Sequence, residues 1–362
     1  MPEQTLDVEA VQREYARILS FLDASSQLKE RREQVRARIA PTPRTELFRE
    51  HGVALYRYSR HRPATLRVPL LIIPSFVNKP FIMDFLEDES FVAAMLERGL
   101  DVFMLEWGAP TPGQRHWGFD VYLRTYLGRA VRRVLSTTGA EHLTLAGYCL
   151  GGVVATLHAA RDEERRIRNL VTMVSPANFV DHGLLSWWAR KEHFDIDKIV
   201  DTYGNMPAAF FSSSFPWLLP GAYLTKMRTL YDRHTDSRFL ESFLALDIWG
   251  TENTPFPGQV FRELISLGYQ QNVLMQDGVW PLGDRPARLA DIRSSVLVMS
   301  AQHDHIAPSA SCAALAERVG SDDCTAIEYP TSHLGIALGK DATGASTPQY
   351  WDDLVAWLGE RQ

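Results

Sequence analysis

The sequence contains few cysteines, and this limits the kinds of protein it can be. Only three are present among 362 residues, Cys149, Cys312 and Cys324. An odd count this low forms no disulfide framework of the kind that small secreted proteins use. The cysteine content therefore indicates a reducing compartment, and we expect a cytoplasmic protein.

The sequence also lacks excess positive charge and long apolar runs. Its net charge is −6, and 45% of its residues are hydrophobic and 23% charged, which is typical of a soluble globular protein and gives no electrostatic reason to bind nucleic acid. No apolar run approaches the ~20 residues that span a bilayer. The acidic stretch Met1–Glu9 lacks the basic-then-apolar pattern of a signal peptide. We therefore expect no transmembrane segment, no leader and no nucleic-acid partner.

One stretch, Leu143–His158, carries a motif that points to chemistry. A short apolar run predicts a buried strand that breaks at Gly147, and the residues after Gly151 predict a helix. The spacing Gly147-x-Cys149-x-Gly151 is that of a nucleophile elbow, a tight strand-to-helix turn, with sulfur in place of the hydroxyl oxygen. Such a turn needs small flanking residues so that the backbone can fold under the exposed nucleophile.

The elbow predicts that Cys149 is a nucleophile at the start of a helix. The partial positive charge of a helix N-terminus favours the thiolate form of a cysteine. The alternative is that Cys149 is a small buried apolar residue, because free cysteines are among the most buried residue types. The strand before it, the helix after it and the partners downstream favour the nucleophile.

The alternation of strands and helices predicts a parallel sheet with helices on both faces. Together with the elbow, this indicates an α/β-hydrolase fold with a mostly parallel sheet and an inserted cap. Apolar runs predict strands at 53–58, 68–73, 101–105, 143–146, 170–174, 296–300 and 325–329, with helices near 91–98 and 120–136. Two helices, at 6–22 and about 27–39, precede the first of these strands and could pack on the core or dock a partner.

Between two predicted strands the pattern changes for about 110 residues. Residues 177–288 are rich in aromatic residues and turn formers and contain no strand of the buried type. Long insertions at strand ends usually cover a site, so we expect a cap here, although most of its aromatic residues could simply form its own core. The predicted domains are an N-terminal helical extension (1–41), a core (42–176 and 289–362) and the cap (177–288).

Two loops after late strands supply candidate partners for the thiol. In the order typical of α/β-hydrolases, the acid and then the histidine follow the nucleophile. Asp304 follows the predicted strand at 296–300, and His333 follows the one at 325–329. We interpret Asp304 as the acid and His333 as the base that takes the thiol proton. Alone, His333 could also be a packing or surface histidine.

Two further chemical roles can be considered from the sequence. His303 and His305 could form a metal pair, but no third ligand stands at a useful spacing, so we expect no metal site. A nucleophile elbow also predicts an oxyanion hole made by two backbone amides. One is that of Leu150, and the other is that of Phe76 or Val77 in the loop after the strand that ends at Ile73.

Four segments resemble the polyhydroxyalkanoate synthases. They are Gly147–Gly152, Phe76–Asp84, Asp101–Gly108 and Asp304–Pro308. The likeness extends from about Thr42 to the end of the sequence. Within that family the chain looks like the catalytic subunit of the short, two-subunit type, which three further segments support: Thr42–Phe48, Val53–Tyr58 and Asp201–Pro207. Tyr148 and Leu150 look more like the longer enzymes, and Ser332 stands where glycine is common, so the subclass stays open.

The resemblance implies a function and assigns roles. The family's nucleophile corresponds to Cys149, its acid to Asp304 and its histidine to His333. It implies polymerisation of (R)-3-hydroxyacyl-CoA, such as 3-hydroxybutyryl-CoA, with release of CoA and with no cofactor apart from the acyl-CoA substrate. It also implies a companion subunit (PhaE- or PhaR-like), a homo-oligomer and association with polyester granules. Two alternatives remain: a cysteine hydrolase or thioesterase, and a non-catalytic module that binds a granule or a partner.

Overall fold

A central sheet of eight strands organises the molecule. The computed structural model describes residues 8–59, 63–181 and 183–362, so Leu6 of the first predicted helix and the acidic stretch before it lie outside the described residues. The strands are β1 (Arg44–Glu50), β2 (Val53–Tyr58), β3 (Leu70–Ile73), β4 (Val102–Glu106), β5 (Leu143–Tyr148), β6 (Ile167–Met173), β7 (Ser295–Ala301) and β8 (Cys324–Tyr329).

The order and direction of the strands confirm the predicted fold class. The sheet has the order β1-β2-β4-β3-β5-β6-β7-β8. Six neighbouring strands, from β4 to β8, run parallel, and β2 pairs antiparallel with β1 and with β4. Parallel strands end at one edge of a sheet, so the loops after β3, β5, β7 and β8 meet there. This is a mostly parallel α/β-hydrolase sheet.

Helices surround the sheet and form most of the segment predicted to be the cap. The helices before that segment are α1 (Val8–Ser26), α2 (Leu28–Arg36), α3 (Phe91–Glu97), α4 (Phe119–Val121), α5 (Gly128–Thr138) and α6 (Leu150–Ala159). Those within it are α7 (Leu184–Trp188), α8 (Ile196–Tyr203), α9 (Ala208–Ser214), α10 (Ala222–Arg233), α11 (Ser237–Thr251), α12 (Gly258–Glu263) and α13 (Val273–Gln276). The last are α14 (Ser309–Ala313), α15 (Gly335–Leu338) and α16 (Gln349–Gly359).

Three details differ from the sequence-based prediction. β1 was not predicted, because it is an edge strand whose residues are all exposed or half-buried, so it has no buried apolar face. β3 begins at Leu70 and not at Val68, since Pro69 has no N–H to donate to a neighbouring strand. The helix predicted at 120–136 contains a π-helical stretch, Tyr122–Leu127, between α4 and α5.

The cap segment lies between β6 and β7 and has an aromatic core of its own. Phe211, Phe256 and Phe261 are buried, and their ring centroids lie 5.5 to 5.7 Å apart. Phe256 also contacts Phe76, in the loop after β3, at 5.7 Å. Many cap aromatics therefore stabilise the cap itself, and its core continues to the edge of the sheet where the loops meet. The domain limits drawn from the sequence stay a prediction.

The two N-terminal helices pack against cap helices. Arg17 of α1 contacts Asp232 of α10 at 2.6 Å, and the rings of Phe21 and Tyr231 lie 5.2 Å apart. α2 packs along α11, where Arg32 forms an ion pair with Asp247. The extension therefore lies on the cap. Within the described residues, no helix is long and apolar enough to cross a membrane.

Candidate active site

Cys149 lies in a strained turn between β5 and α6. Its backbone has φ 55° and ψ −129°, a region that residues with a side chain rarely adopt. A hydrogen bond from its N–H to the carbonyl of Met173, at 2.9 Å, ties the turn to β6. The thiol is thereby held at the first turn of α6, where the helix dipole favours a negative charge. This is the geometry of a nucleophile elbow.

The two glycines of the motif are required by close backbone contacts. A methyl group at Gly151 would overlap the carbonyl of Ile73, and one at Gly147 would overlap the backbone of Gly152. Neither neighbour is the end of a flexible side chain, so the backbone would have to move. The spacing of the motif therefore reflects how tightly β5, α6 and the loop after β3 pack at this point.

Asp304 lies in the loop after β7 with both carboxylate oxygens engaged. Its Oδ1 accepts hydrogen bonds from the backbone N–H groups of Ile306 (2.8 Å) and Ala307 (2.9 Å). Its Oδ2 lies 2.6 Å from Nδ1 of His333. The buried carboxylate therefore has a fixed orientation and faces the imidazole ring.

His333 lies in the loop after β8 and connects Asp304 to Cys149. Its Nδ1 is bound to Asp304, and the ring lies close enough to Cys149 for a negative charge on that sulfur to raise the pKa of the imidazole. The hydroxyl of Tyr148 donates to the backbone carbonyl of His333 at 3.1 Å and holds the loop beside the elbow. The structure thus brings together Cys149, Asp304 and His333, the three side chains that the sequence analysis selected.

The charge environment of His333 favours its protonated form. Burial alone would lower its pKa, but negative charge on Cys149 and Asp304 and the hydrogen bond to Asp304 raise the pKa to about 10. The imidazolium therefore keeps its proton across neutral pH and can stabilise a thiolate beside it. A thiolate is the nucleophilic form of cysteine.

We expect this pairing to make Cys149 the reactive cysteine. Because burial raises the pKa of Cys312 and of Cys324, these thiols stay protonated and slow. Iodoacetamide at pH 7 should alkylate Cys149 first, and His333→Ala should slow that reaction roughly tenfold, since the neighbouring positive charge is lost. Peptide mapping after a timed quench measures both rates. Equal labelling of the three cysteines would contradict the expectation.

Of the two amides in the loop after β3 that the sequence offered for an oxyanion, one is free among the described residues. The N–H of Val77 donates to the side chain of Ser75 at 3.2 Å, while that of Phe76 has no acceptor among the described residues. The Phe76 ring stacks on Trp107 at 4.4 Å, and the Trp107 indole donates to the Pro74 carbonyl at 2.8 Å. These contacts hold the loop in place and favour Phe76 over Val77 as the partner of the Leu150 amide.

Sequence reasoning gave no role to two tyrosines near the thiol. Tyr148 was noted only as a departure from a pattern, and its contact with the His333 loop spans 185 positions. Tyr269 lies in a π-helical stretch, Leu264–Gln270, and packs edge-to-face on Phe179. Burial raises its pKa, and the charges of Asp181 and Cys149 add to the increase. The one feature of the sequence that could have pointed to either tyrosine is that Tyr148 directly precedes the predicted nucleophile.

The other candidates considered from the sequence lie away from this constellation. His303 and His305 are both exposed, so their side chains do not join the buried pair beside them. Among the described residues, no group of three or more histidine, cysteine or acidic side chains is placed to hold a metal ion. The described site therefore consists of a thiol, an imidazole, a carboxylate and backbone amides.

Two family profiles match the sequence. The profile described as alpha/beta hydrolase fold matches residues 68–329, and the profile described as Poly-beta-hydroxybutyrate polymerase (PhaC) N-terminus matches residues 16–95. Solved structures agree on the fold. A hydrolase from Pseudomonas aeruginosa aligns with a TM-score of 0.51 and 17% sequence identity, and the alignment covers 87% of this chain and 97% of that one. A monoacylglycerol lipase from Paleococcus ferrophilus aligns with a TM-score of 0.52 and 14% identity, and the alignment covers 85% of this chain and 99% of that one.

Three curated relatives that match most of the chain are each named "Poly(3-hydroxyalkanoate) polymerase subunit PhaC". The protein from Allochromatium vinosum is 33% identical and aligns over 88% of this chain and 89% of its own length. The protein from Synechocystis is 31% identical and aligns over 89% of this chain and 85% of its own length. The one from Haloferax mediterranei is 27% identical over 100% and 73%. Most of each relative is therefore represented in this chain.

Proposed function

This chain belongs to the poly(3-hydroxyalkanoate) polymerase family, and we propose that it joins short (R)-3-hydroxyacyl groups from CoA thioesters into polyester through an intermediate on Cys149. The observation that supports the covalent step best is the arrangement of three side chains: Cys149 lies in a strained elbow, His333 is bound to Asp304, and the His333 ring is within range of the charge on Cys149. A nucleophile, a base and an orienting acid in contact are what acyl transfer through a thioester requires.

The first proposed step transfers the acyl group to the protein. The Cys149 thiolate attacks the thioester carbonyl, and the amides of Leu150 and Phe76 bind the oxygen that becomes negative. The bond from carbon to the CoA sulfur then breaks, and CoA takes a proton from the His333 imidazolium. Because one thioester replaces another, the step lies near energetic balance and needs no cofactor.

The second proposed step forms the ester bond. The 3-hydroxyl of an incoming unit, or of the growing chain, attacks the Cys149 thioester, and neutral His333 takes its proton. The bond from carbon to the Cys149 sulfur breaks, which restores the thiolate and imidazolium pair. Each cycle therefore releases one CoA for each ester formed.

The contacts of Asp304 support an orienting role. Two backbone amides bind its Oδ1 and His333 binds its Oδ2, so three of the roughly four acceptor sites of this buried carboxylate are engaged in holding it and the imidazole in place. A carboxylate on Nδ1 also fixes the tautomer of the ring, which leaves Nε2 to act on the thiol and the hydroxyl. We assign proton transfer to His333 alone.

Polymerisation requires that water be kept from the acyl-enzyme, because water would release a free hydroxy acid. The cap offers a candidate shield: Tyr269, which is within range of the charge on Cys149, packs on Phe179, and Phe256 packs on the oxyanion loop. The test supplies 3-hydroxybutyryl-CoA and measures CoA and insoluble polyester together. CoA with polymer supports the proposal. CoA with only free acid would identify a thioesterase, and no CoA release a non-catalytic module.

The relatives' common name describes a subunit, which supports a companion chain for this protein. Helix α1 presents an apolar face suited to such a contact: Tyr15, Ile18, Leu19 and Leu22 are 63, 42, 49 and 58% exposed and follow helical spacing. We place the companion subunit on this face of α1. We also place the enzyme at the surface of the insoluble polyester that it makes. Copurification from the native host should recover a second chain, and recovery of the synthase alone would contradict the placement.

A further inference from the structure

The loop that carries the Phe76 amide is held by the end of a cap helix. The clamp segment, Trp249–Thr254, contacts each residue from Phe76 to Lys79. Six hydrogen bonds make these contacts: Trp249 indole to Lys79 carbonyl (3.0 Å), Thr254 hydroxyl to the carbonyls of Phe76 (3.1 Å) and Val77 (3.4 Å), Thr254 N–H to Val77 carbonyl (3.2 Å), Lys79 ammonium to Glu252 carboxylate (2.9 Å), and Asn78 amide to Asn253 amide. The geometry of the candidate oxyanion hole therefore depends on the cap.

Glu252 is the charged member of the clamp segment and has two cationic partners. Its Oε2 binds Lys79 of the oxyanion loop, and its Oε1 binds Arg36 of α2. The side chain is partly buried, 19% exposed, which is less than either partner. Burial would raise its pKa, but the hydrogen bonds and charges of Lys79 and Arg36 lower it overall. One carboxylate thus connects the N-terminal extension, the cap and the oxyanion loop.

We propose that Glu252 is a positioning residue for acyl transfer, which holds the Phe76 amide in place through Lys79 and links that amide to the N-terminal helices through Arg36. This inference rests on the proposed function and adds a residue to it. An oxyanion donor must sit within hydrogen-bond distance of the developing charge, so a displacement of about 1 Å costs a large factor in rate. Glu252 touches neither the substrate nor the thiol and acts only through the loop.

The same helix supplies a matched control in Asp247. It lies five positions before Glu252 on α11, and it likewise pairs with α2, through Arg32, and with a lysine, Lys226 of α10. Its partners lie outside the oxyanion loop. Asp247→Asn therefore removes an equivalent ion pair to the same N-terminal helix without altering the support of Phe76.

The test compares acyl transfer with alkylation of the same thiol. In Glu252→Gln we expect kcat for CoA release from 3-hydroxybutyryl-CoA to fall roughly tenfold to a hundredfold, with KM within about twofold, because an interaction with the transition state is lost. Alkylation of Cys149 by iodoacetamide develops no oxyanion, so its rate should stay at the wild-type value. Asp247→Asn should keep both rates within about twofold of wild type.

A second variant tests the same link from the loop side. Lys79→Met should reproduce the fall in kcat, and the double variant should be no slower than the slower single variant, since both remove one interaction. Lys79→Met alone decides the matter if Glu252→Gln does not fold. Equal kcat in Glu252→Gln and Asp247→Asn, or a parallel loss of alkylation, would overturn the inference. Wild type that releases no CoA would instead overturn the proposed function.

Discussion

Replacing Cys149 by alanine should lower the rate of CoA release from 3-hydroxybutyryl-CoA by about 10⁴-fold or more and abolish polymer formation. The expected effect is this large because the thiol forms the bond that carries the acyl group, and members of a triad act as a unit. Its place in the elbow, near His333 and at the start of α6, cannot be taken by another side chain. Initial rates of CoA release, measured with a thiol-independent assay, test this.

The other two cysteines supply the controls for that experiment. Cys312 is buried and Cys324 is half-buried in β8, and neither touches Asp304 or His333 through a described hydrogen bond. Cys312→Ala and Cys324→Ala should keep CoA release within about twofold of wild type, apart from any loss of stability. Substantial turnover in Cys149→Ala, or its loss in both controls with Cys149 intact, would contradict the assignment.

Asp304→Asn should lower kcat about 10²- to 10⁴-fold with little change in KM. The substitution preserves the shape of the side chain but removes the charge that helps raise the pKa of His333. That pKa should fall, so the imidazolium loses its proton at a lower pH than in wild type and offers less positive charge to Cys149 at neutral pH. The amide can also donate to Nδ1, which would select the wrong tautomer.

The pH dependence separates this effect from simple misfolding. In wild type, His333 should stay protonated as the pH rises until the pH approaches its pKa of about 10. In Asp304→Asn we expect the pKa of His333 to move toward the ordinary histidine value. Titration of the His333 ring by NMR reports the limit directly, and alkylation of Cys149 at pH 7 should slow in parallel. An unchanged titration with an unchanged kcat would show that the carboxylate is not part of the site.

The parts of this site that the sequence predicted depend on close contacts between neighbouring residues and on the order of the strands. The elbow motif is readable because Gly147 and Gly151 are fixed by backbone overlap within a few residues of Cys149. The loops with Asp304 and His333 were found because each directly follows a buried strand, and parallel strands end at one edge of the sheet. Local pattern and topology together therefore placed the three side chains.

The parts that the sequence did not predict depend on contacts between distant residues. The preference for Phe76 over Val77 rests on the hydrogen bond from Val77 to Ser75, which the sequence does not reveal. The support of the Phe76 loop comes from Glu252 and its neighbours, more than 170 positions away, and carries no local signal. The strand β1 was missed because an exposed edge strand lacks the apolar alternation that marks a half-buried one.

The central claim is that the acyl group passes through a thioester on Cys149, and mass spectrometry of the quenched enzyme tests it most directly. The protein is mixed with 3-hydroxybutyryl-CoA, stopped in acid within the first turnovers, digested and mapped. The account predicts one or more 3-hydroxybutyryl units on the peptide that contains Cys149, removable by hydroxylamine and absent from Cys149→Ala. CoA release and polymer growth with Cys149 unmodified at every time point, or the acyl group on another residue, would contradict it.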